Sequence, residues 1–242
     1  MKTAEVRPLS FEAYENFVET VRNPDPPEFN WRKDRAKRVG DELLEVLVQH
    51  GDGLNLLLPS IVPVAKPKPG LVHKMADELG DSCWFITDAT LRAQLSLSDV
   101  TTAALQRHVG SKVEEISTFR ELDIQSVNHA ATIAVPNKYG LSTYLGNNPS
   151  YLLMRTQERL IRSLNPDSRI TGGPPTATYL EGVTELPQAL GDACLALSFI
   201  ASARLGVSLE AVARFNMRKL THRQAHGKEN DLSFTDFLAA EQ

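Results

Sequence analysis

The sequence contains one five-residue pattern twice, each time at the start of a long apolar segment. The two copies are Leu79-Gly80-Asp81-Ser82-Cys83 and Leu190-Gly191-Asp192-Ala193-Cys194. After each copy the chain runs through a helix-length stretch to a serine that can cap a further helix, Ser96 or Ser208. Such matching units are typical of a diverged tandem duplication. We therefore expect two repeats, over residues 1–112 and 113–230, and a C-terminal tail, 231–242, that forms either a short docking helix or a frayed end.

Apolar residues recur at helical spacing along most of the chain, and strand signals are few. The pattern predicts an all-α helical bundle with four helices in each repeat. The predicted helices of the first repeat span 11–22, 34–50, 72–94 and 97–109, and those of the second span 117–131, 150–164, 185–205 and 209–223. Proline-rich stretches at 51–70 and 165–178 predict loops between them.

Composition narrows the class of protein further. A chain of 242 residues with 42% hydrophobic residues can bury one large core or two ordinary ones. Its formal net charge of -4 gives no electrostatic argument for binding duplex nucleic acid or an anionic membrane. The apolar runs are too short to span a bilayer, and the first residues lack the apolar region of a signal peptide, so we expect a cytoplasmic protein. Cys83 and Cys194 occupy equivalent positions, which favours buried hydrophobes over metal ligands.

Four carboxylates of the first repeat form two pairs spaced one helical turn apart, Glu42/Glu45 and Glu78/Asp81. Glu78 and Asp81 lie on a predicted helix that is apolar nearly all round and therefore central, where carboxylates need a partner. Clustered carboxylates offer the hard oxygen ligands that Mg²⁺ prefers. Glu42 and Glu45 lie beside other polar residues, and for that pair a solvated helix face remains an alternative.

Two segments together resemble a known family. Glu42-Leu43-Leu44-Glu45 and Glu78-Leu79-Gly80-Asp81 resemble the Glu-x-x-Glu…Glu-x-x-Asp signature of the MazG-like all-α nucleotide pyrophosphohydrolases. Asn216-Met217-Arg218-Lys219-Leu220-Thr221-His222-Arg223 resembles the C-terminal Asn-x-x-Lys-Leu-x-x-Arg helix of that family. The gap between Glu45 and Glu78 is longer than the family commonly shows.

The resemblance implies a helical bundle, usually dimeric, that hydrolyses nucleoside triphosphates to monophosphates and pyrophosphate. It implies that Glu42, Glu45, Glu78 and Asp81 are the catalytic residues and hold Mg²⁺, with Mn²⁺ as a substitute. For metal-assisted hydrolysis we expect one of these four acids, with Glu42 or Glu45 on the less enclosed helix preferred, to take the proton of the attacking water.

The resemblance also implies a set of substrate contacts. Asn216, Lys219 and Arg223 would contact the sugar or the phosphates. Trp84 and Phe85, with Trp31, are candidates for stacking on the base, although aromatic residues on amphipathic helices more often belong to the core.

The second repeat has lost most of these acids. Thr156, Arg159 and Ala189 stand where the first repeat has Glu42, Glu45 and Glu78. Conversely, the first repeat has Ala104 and Arg107 at the positions of Asn216 and Lys219. We therefore expect the repeats to pack as an intrachain pseudo-dimer whose one working site combines both halves. The alternative is that Arg107 serves the phosphates within the first repeat.

The expected function is magnesium-dependent hydrolysis of a nucleoside triphosphate, with a deoxynucleotide among the candidate substrates. The expected partners are this substrate and a second copy of the chain, and neither duplex nucleic acid nor a membrane. The alternative is a non-catalytic helical module that senses nucleotides or binds a protein on the same scaffold.

Overall fold

The computed structural model describes residues 7–50, 69–109, 113–122, 159–161, 163–164, 175–227 and 232–241. Within these ranges every regular element is helical, which confirms the all-α prediction. The helices are α1 (Phe11–Val21), α2 (Trp31–His50), α3 (Pro69–Arg92), α4 (Leu97–Val109), α5 (Pro175–Ile200), α6 (Leu209–His226) and α7 (Phe234–Glu241). A 3-10 turn covers Phe119–Leu122, and a π-helical turn, Ala201–Leu205, follows α5. None of the helices described combines the length and the apolar character needed to cross a bilayer.

Serine caps begin three of these helices at the predicted residues. The Oγ atoms of Ser10, Ser96 and Ser208 accept hydrogen bonds from backbone N–H groups three residues later, at 3.1, 3.0 and 3.2 Å. Each cap satisfies a donor that the first helical turn leaves without an intrahelical partner. The predicted starts of α1, α4 and α6 are therefore confirmed.

Helix α2 begins three residues before its predicted start. The side chain of Asn30 accepts a hydrogen bond from the N–H of Lys33 at 3.2 Å, so Asn30 is the cap. The predicted loop over 51–70 lies outside the described residues except for Pro69 and Gly70, which form the first turn of α3.

Two helix predictions in the second repeat are wrong at their N-terminal ends. Helix α5 begins at Pro175, ten residues before the predicted start, and continues through Pro187. Pro175 suits the first helical position because its missing N–H would have no intrahelical acceptor there. The segment from Ser117 is not helical at its start, because its backbone pairs with the chain at the start of α1: Phe11 N–H donates to the carbonyl of Ser117 at 2.9 Å. Residues 123–131 lie outside the described residues.

The core is continuous between the two halves of the sequence. Leu79 and Ile86 of α3 are fully buried, as are Leu190 and Leu197 of α5. Cys83 and Cys194 are also buried and unpaired, as predicted, and burial raises the pKa of the Cys83 thiol to about 12. The repeated cysteines are therefore part of the packed interior.

The repeated glycines lie where helices cross closely. A Cβ added at Gly80 would lie 3.0 Å from the Cβ and Nδ2 atoms of Asn216 on α6. A Cβ added at Gly191 would lie 2.0 Å from the carbonyl oxygen of Val100 and 2.7 Å from the Cβ of Ala104, both on α4. Helix α3 thus crosses α6, and α5 crosses α4, at equivalent glycines.

Of the two alternatives for the C-terminal segment, the structure has the docking helix. Phe234 and Phe237 of α7 are buried against Phe215 of α6, with ring centroids 5.0 and 5.7 Å away. The N–H of Phe234 donates to Nδ1 of His73 on α3 at 3.0 Å, which fixes the start of α7 on the bundle.

Candidate functional site

Three of the four predicted carboxylates meet between α2 and α3. Glu42 on α2 shares a hydrogen bond with Glu78 on α3, and Asp81 lies one turn further along α3. The pKa of Glu42 is raised to about 8, chiefly by burial and then by the hydrogen bond to Glu78 and the charge of Asp81. In this carboxylate cluster, the Glu42 carboxyl is therefore harder to ionise than a solvated glutamate, because it is partly buried beside two other acids.

The fourth carboxylate, Glu45, has its backbone in α2, one turn after Glu42. Its side chain lies outside the described residues. Among the side chains that are described, no group of three acidic, histidine or cysteine residues has the arrangement of a metal site.

Asn216 and Lys219, from the second half of the sequence, contact Asp81. Nδ2 of Asn216 donates to Oδ1 of Asp81 at 2.9 Å, and Nζ of Lys219 donates to the same oxygen at 2.6 Å. Lys219 also donates to Oδ1 of Asp77. Asn216 and Lys219 are 0% and 1% exposed, so both side chains support the carboxylate from inside the bundle rather than facing solvent.

Asp77 is a site residue that sequence reasoning missed. It lies one turn before Asp81 on α3 and supplies the second carboxylate of the Lys219 pair. The ammonium group of a lysine has three N–H donors, so a buried lysine can use more than one acceptor. The available signal was the i,i+4 spacing of Asp77 and Asp81, which places both on one helix face.

A cleft of about 850 Å³ opens beside the carboxylates. Its lining includes the acids Glu42 and Asp81, the arginines Arg22, Arg35, Arg38 and Arg223, and the aromatic residues Phe29, Trp84 and Phe85. Of the predicted substrate contacts, Arg223, Trp84 and Phe85 therefore line the cleft, whereas Asn216, Lys219 and Trp31 do not. One cavity thus presents anionic, cationic and aromatic side chains together.

A buried carboxylate, Asp88, organises the arginine side of the cleft. Its oxygens accept hydrogen bonds from Arg22 at 3.2 Å, from Arg92 at 2.8 Å and from Arg35. Arg92 also holds Asp25 through two hydrogen bonds of 2.7 and 2.8 Å, which lower the pKa of Asp25. This network fixes the segment after α1 against α3 as one wall of the cleft.

Arg35 is the arginine that joins this network to the aromatic residues. Its guanidinium carbon lies 5.6 Å from the ring centroids of Phe29 and Trp84 and 5.3 Å from that of Phe85. These distances are within the range of cation–π attraction. Arg35 and the three rings therefore form one packed surface at the cleft.

Asp192, the counterpart of Asp81 in the repeated pattern, is surrounded by basic side chains instead of acidic ones. Asp192 is buried and accepts hydrogen bonds from Arg107, from Nε2 of His108 at 2.9 Å and from Arg159 at 3.0 Å. Burial alone would raise the pKa of Asp192, but the His108 hydrogen bond and the charge of Arg107 hold it below its ordinary value. Cationic side chains fill the position where the first half has carboxylates. Arg107 contacts Asp192 rather than the carboxylate cluster.

No protein-family model matches the sequence, and neither a curated protein nor a solved structure matches it. The site geometry and the motif resemblance are therefore the support for a functional proposal.

Proposed function

We propose that this protein is a magnesium-dependent nucleoside triphosphate pyrophosphohydrolase, which releases a nucleoside monophosphate and pyrophosphate. The observation that carries the proposal is one cleft lined by two acids of the carboxylate cluster, Glu42 and Asp81, together with arginine side chains and aromatic rings. A nucleoside triphosphate presents a matching set of groups, because its phosphates need cations and its base needs an apolar, stacking surface.

The chemistry of the carboxylate cluster suits magnesium. Glu42, Glu78 and Asp81 supply hard oxygen ligands, and a divalent cation between them would lower the pKa of Glu42, which burial and the neighbouring acids raise. These three residues, with Glu45, would hold the metal. Bound magnesium would neutralise the phosphates and polarise the α-phosphoryl group.

The protein's own side chains then account for binding and proton transfer. Trp84 and Phe85 would position the base, and Arg38 and Arg223 the phosphates, because all four line the cleft. Water attacks the α-phosphorus, the bond from that phosphorus to the bridging oxygen breaks, and pyrophosphate leaves. Glu42 or Glu45 accepts the proton that the water loses.

Arg38 is a candidate phosphate ligand that sequence reasoning did not assign. It lies one turn before Glu42 on α2, is exposed, and makes no ion pair with a carboxylate in the described part of the chain. Asn216 and Lys219 take a different role from the one expected, because their polar atoms are directed to Asp81. We propose that they hold this carboxylate instead of contacting the substrate.

The pseudo-dimer remains part of the proposal. It is supported by the equivalent crossings of α3 with α6 and of α5 with α4, both at repeated glycines. It is also supported by the contacts of Asn216 and Lys219 with Asp81, which join residues of both halves in one site. Since Asp192 is neutralised by cationic side chains, we propose one working site in each chain.

The test is to incubate the protein with a panel of ribo- and deoxynucleoside triphosphates and Mg²⁺, and to measure release of pyrophosphate and of phosphate separately. We expect pyrophosphate, and we expect Glu78→Gln or Asp81→Asn to abolish its release while the circular dichroism spectrum stays unchanged. Glu12→Gln, an exposed acid on α1, is the matched control and should keep full activity. Full activity of Glu78→Gln would refute the proposal, and nucleotide binding without hydrolysis by the wild type would favour the non-catalytic alternative.

A further inference from the structure

A buried phenol lies directly behind the carboxylate cluster. Tyr14 on α1 is 0% exposed, and its hydroxyl group donates to Oδ1 of Asn216 at 3.2 Å. Asn216 in turn donates to Asp81. A chain of two hydrogen bonds therefore links α1 through α6 to a carboxylate of α3.

The donor and acceptor groups of the three side chains fix the direction of both hydrogen bonds. The carboxylate of Asp81 can only accept, so the NH₂ group of Asn216 faces it. The amide oxygen of Asn216 must then face Tyr14, whose hydroxyl is the donor. Burial, together with the neighbouring Cys83, raises the pKa of Tyr14, so the phenol keeps its proton.

The result is that the two oxygens of Asp81 are not equivalent. Oδ1 accepts from both Asn216 and Lys219, at 2.9 and 2.6 Å. In the part of the chain that the structure describes, no residue donates to Oδ2. The Asp81 side chain is 27% exposed and lines the cleft, so one oxygen is held by the protein while the carboxylate still reaches the cavity.

We propose that Tyr14 is a positioning residue that orients the Asn216 amide and thereby holds Asp81 with Oδ2 available to a divalent cation in the cleft. This inference rests on the proposed function, because it assigns Asp81 to metal binding. Residues that orient metal ligands tune affinity even though they do not touch the metal.

A role confined to packing would depend on the ring of Tyr14 and not on its hydroxyl group. The ring packs edge-on against Phe119, with the centroids 5.2 Å apart, and Phe17 lies further away at 6.1 Å. Phenylalanine would preserve both contacts. Tyr14→Phe therefore separates positioning from packing.

The experiment measures binding of Mn²⁺ to the full chain by isothermal titration calorimetry, without nucleotide. Outer partners of metal ligands typically change affinity about 10- to 100-fold, and we expect a smaller loss, about threefold to tenfold, for Tyr14→Phe because it acts through Asn216. In an Asn216→Ala background, Tyr14→Phe should cause no further loss.

Ser198→Ala is the matched control, since Ser198 also has a buried hydroxyl hydrogen bond, to the carbonyl of Leu122 at 2.6 Å, away from the site. It should leave Mn²⁺ affinity unchanged. Wild-type affinity in Tyr14→Phe, or an equal loss in the Asn216→Ala background, would overturn the inference and leave the proposed function standing. Absence of Mn²⁺ binding by the wild type would overturn both.

Discussion

Two aspartates at equivalent sequence positions show how neighbouring charges set the role of a side chain. Asp81 lies beside Glu42, another acid, and contacts one lysine. Asp192 contacts two arginines and a histidine. The first arrangement suits a bound cation, and the second already contains its cations within the protein.

The Asp192 cluster should stabilise the fold in a pH-dependent way. Removing one partner of a buried ion pair costs about 3 to 5 kcal/mol, and we expect Asp192→Asn to fall at the lower end because Arg107 and Arg159 keep some contact with solvent. The pKa of Asp192 is lower in the folded chain than its ordinary 3.8. Its contribution is therefore complete above pH 3.8 and is lost as the pH falls through the folded-state pKa.

Urea unfolding of wild type and Asp192→Asn at a series of pH values, from about 5 downward, checks this prediction. The difference in free energy of unfolding should shrink below pH 3.8. Glu185→Gln is the control, because Glu185 lies 3.7 Å from the same Arg159 but is 42% exposed, and it should cost less than about 1 kcal/mol. Equal losses in the two variants would show that burial of Asp192 does not matter.

Arg38 provides a residue-scale test of substrate binding. Replacing it by alanine should raise KM for the nucleoside triphosphate about threefold to tenfold with little change in kcat, since an exposed charged hydrogen bond is screened by water. Steady-state kinetics measure this effect. Lys37→Ala is the matched control on the same helix, because Lys37 pairs with Asp41 and does not line the cleft. A similar rise in KM for both variants would indicate a general charge effect instead.

At the scale of helices, the repeated glycines affect stability because their lack of a side chain lets neighbouring helices approach closely. Gly191→Ala improves helix propensity by about 1 kcal/mol, whereas overpacking a core costs about 1 to 3 kcal/mol. The new Cβ would meet the backbone oxygen of Val100 at 2.0 Å, and a backbone group cannot rotate away. We therefore expect a net loss of stability and a lower Tm.

Thermal unfolding of Gly191→Ala and Gly40→Ala compares two helical glycines with different neighbours. A Cβ at Gly40 would meet only the end of the Ile161 side chain, at 3.0 Å, and this group can move. Gly40→Ala should change the free energy of unfolding by less than about 1 kcal/mol. An unchanged Tm for Gly191→Ala would contradict the close crossing of α4 and α5.

Sequence reasoning was most successful where the signal is local. The serine caps of α1, α4 and α6 involve residues within one helical turn of each other, and each cap lies where predicted. The start of α5 was not recovered, because a helix that runs through Pro187 depends on tertiary packing to offset the lost hydrogen bond.

The residues of the candidate site also include some that local sequence patterns indicate and others that only tertiary contacts bring together. The spacing of Glu78 and Asp81 identified one helix face, and the motif resemblance brought in Asn216 and Lys219. Tyr14 was missed because its contact with α6 joins residues far apart in sequence, and the spacing of Asp77 and Asp81 marks a helix face without identifying Lys219 as its partner. No local periodicity encodes such contacts.

At the scale of the whole molecule, Asp81 and Asp192 have opposite electrostatic surroundings, and this difference predicts how the protein responds to metal. Mg²⁺ should stabilise the fold through the carboxylate cluster alone. Free Mg²⁺ at about 100 times its Kd would add about 2.7 kcal/mol, which corresponds to a rise in Tm of roughly 5 to 10 °C for a chain of this size.

Thermal unfolding with and without Mg²⁺, after treatment with a chelator, measures this shift. Glu78→Gln should abolish the rise in Tm, whereas Asp192→Asn should retain it despite a lower starting Tm. A rise that survives in Glu78→Gln would place the metal elsewhere in the molecule.

The close crossings also have a consequence for the history of the gene. Gly80 lies against Asn216, and Gly191 lies against Ala104, so each repeated glycine is matched to a residue encoded in the opposite half. In the proposed duplication, any enlargement on one side has to be compensated on the other. Under the proposed duplication, the second half could not be lost again, because its removal would leave Asp81 without Asn216 and Lys219 and would uncover the face of α3 that packs against α6.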